Sequence, residues 1–132
     1  MKIMIVEDDR TIAAILAAEL TKWGYNPFII TDFQNVLARF HEEAPQLVLM
    51  DIQLPAFNGY YWCQEIRKVS QVPLFFISSR TENMDIVMAI QMGGDNYIQK
   101  PFDLNVALSK VQALLRRPYD FTENHNYLNL GT

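Results

Sequence analysis

Cysteine is nearly missing from this sequence. Cys63 is the one thiol in 132 residues, so no disulfide can form within the chain, and a reducing, intracellular setting is the plain expectation. Long apolar runs are missing too. Nothing approaches the roughly 18 consecutive apolar residues that a membrane helix needs, and no basic-then-apolar leader opens the chain, so a cytoplasmic protein with no membrane partner is expected. Positive charge is in deficit: 15 acidic against 11 basic residues give a net charge of -4. Only Arg116-Arg117 stand out as a basic cluster, which argues against the chain itself gripping a nucleic-acid backbone. Metal-ligand spacing around histidine or cysteine is likewise absent, leaving His41, His125 and Cys63 as incidental residues. No internal repeat is visible.

What the chain does have is apolar content for one core, with 50% hydrophobic residues, in a length that suits about one domain. Short apolar runs at Ile3 to Val6, Pro27 to Ile30, Leu47 to Met50, Leu74 to Ile77 and Tyr97 to Ile98 alternate with segments of helical period. Strands alternating with helices predict a parallel α/β sheet. The first helix is expected from Arg10 to Lys22, with Asp9 as N-cap, Gly24 as stop and Ile12, Ile15, Leu16 and Leu20 as its buried stripe. Later helices are expected near Gln34 to Glu43, Tyr60 to Val69, Met84 to Met92 and Leu104 to Arg116. Five strands and five helices thus fill residues 1–117. From Pro118 the composition turns polar and Asn-rich, which reads as a linker toward something further.

Val48-Leu49-Met50-Asp51-Ile52-Gln53-Leu54-Pro55 poses the chemical question, because an apolar strand that ends on a carboxylate needs something to pair with it. In an open parallel sheet, ligands bind outside the carboxyl ends of the strands. The residues following each strand are therefore the candidates: Glu7, Asp8 and Asp9 after the first, Asp51 after the third, Ser78 and Ser79 after the fourth, Lys100 after the fifth. Carboxylates this close require a counter-charge, and one lysine is too little. A hard divalent cation such as Mg²⁺ fits, leaving Asp51 as a ligand and as a nucleophile toward phosphorus. Lys100 would offset charge on the transferring group, and Ser78 could donate to a phosphoryl oxygen.

Ile5-Val6-Glu7-Asp8-Asp9, Leu49-Met50-Asp51-Ile52-Gln53-Leu54-Pro55 with Gly59, Ile77-Ser78-Ser79-Arg80, Gly94-Asp95-Asn96-Tyr97 and Lys100-Pro101-Phe102 together resemble the motif set of the two-component response-regulator receiver domain, in order and correctly spaced. The resemblance covers residues 1–117. It implies a doubly wound, flavodoxin-like five-stranded parallel sheet of order 2-1-3-4-5 with five helices. It implies Asp51 as phosphoacceptor, and Asp8, Asp51, the Gln53 backbone carbonyl and, through water, Glu7 as ligands of Mg²⁺ or Mn²⁺. Ser78, Lys100 and Tyr97 are implied as the residues that sense the phosphoryl group, and a cis bond before Pro101 is common in the family. The implied donor is a sensor histidine kinase. The expected chemistry is phosphotransfer with slow self-dephosphorylation, not metabolic turnover.

The chain is most similar to the OmpR/PhoB group, in which phosphorylation promotes a homodimer. The surface candidates implied here are Met84, Ile86, Met88, Asp95, Val106 and Lys110. Ile86 and Val106 stand where that group usually has Arg and Glu, and Asn96 where it has Asp, so the group's salt bridges do not carry over. In the fourth helix Val87 and Ile90 suit the core. In the fifth, Leu104, Ala107, Leu108, Val111, Leu114 and Leu115 form the core stripe, with Val106 off it. Residues 118–132 resemble the join to a winged-helix DNA-binding domain, through which alone DNA would be a partner. Asn83-Met84-Asp85 and the tail resemble regulators that respond to cell-envelope peptide antibiotics.

Plainer readings stand beside these. Asp51 alone could serve a turn, Ser79 competes with Ser78, and Tyr97, Trp23 and Trp62 could be packing residues. An FMN carrier of the same fold is disfavoured, since Glu7-Asp8-Asp9 would repel its phosphate. A phosphorylation-independent receiver that acts as an interaction module is the alternative.

Overall fold

The five apolar runs all become strands: β1 (Lys2–Val6), β2 (Asn26–Ile29), β3 (Leu47–Asp51), β4 (Leu74–Ser78) and β5 (Asn96–Gln99). Every pairing is parallel, in the order β2-β1-β3-β4-β5, as the sequence implied. The computed structural model describes residues 1–78, 83–100, 103–113 and 115. Ser79, Pro101, Leu114 and the tail of residues 116–132 lie outside these, as do the side chains of Met84 and Ile86. β3 and β4 are buried at every position, as strands are when helices cover both faces.

Between the strands run α1 (Arg10–Lys22), α2 (Val36–Glu43), α3 (Gly59–Arg67) and α4 (Asn83–Gln91). A fifth helix, α5, spans residues 104–113. Two units make up the chain, Met1–Phe102 and Asp103–Thr132, and the whole sheet belongs to the first. α1 has the expected bounds. Asp9 caps it, with Oδ1 accepting from the amides of Thr11 (3.0 Å) and Ile12 (3.1 Å), and Gly24 follows at φ 91°, the left-handed turn that favours glycine. α2 starts two residues later than expected. The Asp32 side chain holds Gln34 N (3.1 Å) and Asn35 Nδ2 (2.7 Å) in a turn first, a local bond that competes with helix.

One side of the sheet, carrying Met4, Val6, Val48, Met50, Leu74, Phe76 and Tyr97, packs against Val36 and Phe40 of α2, Trp62, Cys63 and Ile66 of α3, and Ala89 of α4. Several expected stripes shift by one position. In α1 the buried residues are Ala13, Leu16 and Leu20, while Ile15 is 50% exposed. In α4 Ala89 is buried, and Val87 and Ile90, expected in the core, are 46% and 48% exposed. The sheet accepts a small Cβ closely there and leaves the larger side chains outside. Trp62 is packed as expected; Trp23 is not, being the exposed C-cap of α1. In the second unit Asp103 Oδ1 caps α5 through Asn105 N (2.8 Å). Ala107, Leu108 and Val111 are buried and Val106 is exposed, as the helical period predicts.

Candidate functional site

Strand register is what assembles the candidate residues. Val6 lies opposite Met50, so the next residues, Glu7 and Asp51, are neighbours. Asp51 lies opposite Ile77 and Ser78 opposite Gln99, which brings Ser78 and Lys100 to the same sheet edge. Asp51 and Ser78 are the last residues of their strands rather than the first residues after them. That places both inside the hydrogen-bonded sheet, where their backbones are fixed.

Ligand oxygens of Glu7, Asp8 and Asp51 all lie within 4.8 Å of one another. Glu7 and Asp51 are buried and Asp8 is exposed, so the cluster opens to solvent through Asp8. Lys100 is the cation beside it: Nζ is 2.6 Å from Glu7 Oε1 and 3.3 Å from Asp51 Oδ2. The closer partner is thus Glu7, a pairing the sequence did not reveal. Glu7 has no side-chain exposure; its Oε2 accepts from Asp9 N at 3.0 Å, leaving Oε1 to rely on Lys100. Asp51 Oδ1 accepts from Gln53 N at 3.3 Å, and the Gln53 residue itself is exposed.

These surroundings explain the electrostatics. Burial and the Glu7 carboxylate push Asp51 from its ordinary 3.8 up to about 7, against the opposing pull of Lys100. Burial pulls Lys100 down, but the hydrogen bond to Glu7 and the charges of Asp51 and Glu7 outweigh it, and its pKa is raised. Among the described residues, three carboxylates around one lysine leave the site short of positive charge. All-oxygen donors of this kind suit a hard divalent cation, and the shortfall at Asp51 is what such a cation relieves. A cavity of about 260 Å³, lined by Glu7, Asp8, Arg10, Ile30 and Phe33 among others, borders the cluster on the α1 side.

Behind the carboxylates, the β3–α3 corner is tightly built. Asn58 Oδ1 caps α3 through Tyr61 N at 2.9 Å, and Gly59 N donates to Ile52 O at 2.8 Å. A Cβ on Gly59 would lie 2.2 Å from the Asp51 carbonyl oxygen; only glycine lets the helix approach the Asp51 backbone this closely. Ser78 is fully buried at the end of β4, and Tyr97 is buried in the core cluster. Asp95, a surface candidate, is exposed, and its Oδ2 also accepts from Leu74 N (2.7 Å) and Arg67 Nη2 (3.1 Å). Met88 and Val106 are exposed and Lys110 is partly so.

Comparison with known proteins agrees in kind. The family model described as "Response regulator receiver domain" matches residues 3–112. The response regulator protein GraR of Staphylococcus aureus (strain JH9) is 47% identical over 122 residues, which are 92% of this chain and 54% of that protein. The chain therefore spans about half the length of the curated relatives it matches. Among solved structures, the N-terminal domain of the nisin resistance regulator NsrR, a lantibiotic response regulator, is 47% identical with TM-score 0.81, over 87% of this chain and 97% of that one. The BeF3-activated receiver domain of Klebsiella pneumoniae RstA is 30% identical with TM-score 0.84, over 88% and 99%.

Proposed function

The chain belongs to the response-regulator receiver family of two-component systems, and from that premise we propose that Asp51 accepts a phosphoryl group from the phosphohistidine of a sensor histidine kinase. The observation that carries this reading is the convergence of Glu7, Asp8 and Asp51 within 4.8 Å beside Lys100. An Asp51 carboxylate oxygen attacks phosphorus, forming an O–P bond as the N–P bond of the donor breaks. The electron pair of that bond stays on the departing imidazole, and the product is an acyl phosphate.

Receiver domains are generally Mg²⁺-dependent, and Asp8, Asp51, the Gln53 carbonyl and, through water, Glu7 would hold Mg²⁺ or Mn²⁺. When bound, the ion supplies positive charge to the phosphoryl oxygens. Lys100, already balanced between two carboxylates, supplies a second positive charge to the same oxygens. Ser78 donates its hydroxyl to the phosphoryl group, and Tyr97 carries the change away from the site. The added charge of about -2 biases a conformational equilibrium. The same groups support slow hydrolysis of the acyl phosphate.

The output follows from the same reading. The receiver domain takes in residues 1–117, and residues 118–132 join it to a winged-helix DNA-binding domain, a reading supported by the match covering 54% of the GraR relative. Phosphorylation promotes a homodimer through exposed apolar residues of α4, among them Met88, in a cytoplasmic transcription regulator. Likeness to the NsrR domain supports a stimulus of the lantibiotic class.

Intact mass after incubation with acetyl phosphate and Mg²⁺ tests the proposal. Gain of one phosphoryl mass, lost with EDTA and in Asp51→Asn, is the expected result. No gain in a folded chain would replace it with the phosphorylation-independent interaction module.

A further inference from the structure

Asn58-Gly59 is the one Asn-Gly pair in the sequence, and it forms the β3–α3 corner behind the carboxylates. Each residue of the pair answers a separate structural demand. Asn58 is the N-cap of α3, where a side-chain oxygen is needed for the orphan amides of the first turn. Gly59 is needed because a Cβ there would lie 2.2 Å from the Asp51 carbonyl oxygen and 3.0 Å from the Ile52 Cα. Asparagine is a chemically labile residue, and glycine, with no side chain, leaves its own backbone nitrogen the least shielded. The pair that builds the corner is therefore also the pair in which that nitrogen most readily attacks the preceding carboxamide.

The resting fold keeps the two reactants apart. Asn58 Oδ1 accepts from Tyr61 N at 2.9 Å, which holds the carboxamide over the first turn of α3. Gly59 N donates its hydrogen to Ile52 O at 2.8 Å, so the attacking nitrogen is fixed and keeps its proton. Asn58 is extended, at φ -76° and ψ 172°, and ψ must rotate before Gly59 N can face Asn58 Cγ. Asn58 is nevertheless exposed, so water has access to it. Ring closure thus needs local opening of the corner, not unfolding of the chain.

We propose that Asn58-Gly59 is a self-modification site, guarded by the corner that carries Asp51 and triggered when that corner opens. Gly59 N forms a bond to Asn58 Cγ as the bond from Cγ to the side-chain nitrogen breaks. That nitrogen leaves as ammonia, with the proton that Gly59 N gives up. Water then opens the cyclic imide. Attack at Cγ leaves an aspartyl residue, whereas attack at the backbone carbonyl leaves an isoaspartyl residue whose main chain runs through the former side chain. An aspartyl cap serves α3 as asparagine does, with a charge that suits the helix N-terminus. The isoaspartyl form lengthens the main chain by one carbon, about 1.5 Å, where Gly59 has no room to shift against Asp51 and Ile52. It displaces the Asp51 backbone and retires the acceptor. That last step rests on the phosphoacceptor reading; the modification itself does not.

Incubation of the 132-residue chain in mildly alkaline buffer, folded and in denaturing urea, tests the proposal, read by peptide mass mapping and enzymatic isoaspartyl methylation. Loss of ammonia at Asn58 is expected to run at least roughly tenfold more slowly in the folded chain than in urea. Asn58→Ser, which keeps a capping oxygen, gives no isoaspartyl product at that position. Equal rates in the two conditions overturn the guard. The isoaspartyl fraction, separated by chromatography, melts below Asn58→Asp and takes the phosphoryl group from acetyl phosphate at least roughly tenfold more slowly than that variant. An isoaspartyl fraction as stable and as reactive as Asn58→Asp overturns the retirement of the acceptor. Absence of a phosphoryl adduct in every form overturns the proposed function instead, and the rates and melting temperatures then decide the modification alone.

Discussion

The two edges of the sheet handle charge in opposite ways. At the C-terminal edge, Lys100 is shared between Glu7 and Asp51, and Asp51 is pushed up to about 7. At the N-terminal edge, Arg67 meets Asp95 and three backbone carbonyls, and Asp95 closes the network through Leu74 N. Among the described residues, one cluster has a single lysine for three carboxylates; the other pairs its one carboxylate with a guanidinium and a backbone amide. A charge network completed within the fold serves as scaffold, while one left incomplete is poised for an ion or a reacting group.

The widest separation of the two edges comes from substituting their central acids and bases. Asp51→Asn abolishes the phosphoryl mass gain, yet in metal-free buffer at pH 8 it raises the melting temperature, because it removes a buried negative charge beside Glu7. Equal or lower thermal stability of that variant would contradict the account of Asp51 as under-compensated. Gly59→Ala comes next. With its Cβ driven to 2.2 Å from the Asp51 carbonyl, it costs about 3 kcal/mol or more by chemical denaturation, and it lowers the phosphorylation rate of the folded fraction by displacing the acceptor's backbone.

Arg67→Ala is the mirror of Asp51→Asn. It strips the hydrogen bonds that Arg67 gives to three backbone carbonyls and leaves the exposed Asp95 without its cation, costing roughly 1–3 kcal/mol, while phosphorylation of Asp51 persists in the folded protein. A stable variant that cannot be phosphorylated would erase the distinction between edges.

The pH response separates them more gently. A carboxyl held above its ordinary value binds its proton more tightly in the folded chain than in the unfolded one. Between about pH 4 and 7 the folded state therefore carries the extra proton, and the Asp51 contribution to stability declines as pH rises through that window. Mg²⁺ reverses the decline, since it needs the ionised carboxylate. At ten times its dissociation constant it adds about 1.4 kcal/mol, and thermal shift at pH 8 should exceed that at pH 5. Least of all is Ala44→Gly on the scaffold side. Ala44 closes α2 at φ 47°, so glycine there gains about 0.5–1 kcal/mol without touching phosphorylation.

Much of this was legible in the residues themselves. Apolar runs bounded by polar segments gave five strands nearly to the residue, and Asp9 and Gly24 marked the ends of α1 because capping is local chemistry. Glu7, Asp8, Asp51, Ser78 and Lys100 could be gathered from sequence because a parallel sheet brings strand ends to one edge. Burial in α4 departs from the expected stripe, with Ala89 inside and Val87 and Ile90 outside, since its apolar residues exceed one stripe and periodicity cannot say which of them the sheet accepts.

By itself, then, the sequence determined the alternation of strands and helices, their order through the family's motifs, and the set of groups at the carboxylate-bearing edge. These follow from local propensity and short-range spacing, which need no knowledge of contacts. Tertiary structure alone decided that Lys100 lies closer to Glu7 than to Asp51, that Gly59 is pressed against the Asp51 carbonyl, and that Arg67 ties α3 to Asp95 and the Gly93 turn. Each of those joins residues 8 to 93 positions apart, and their distances are set by how helices pack on a twisted sheet, which no local rule contains.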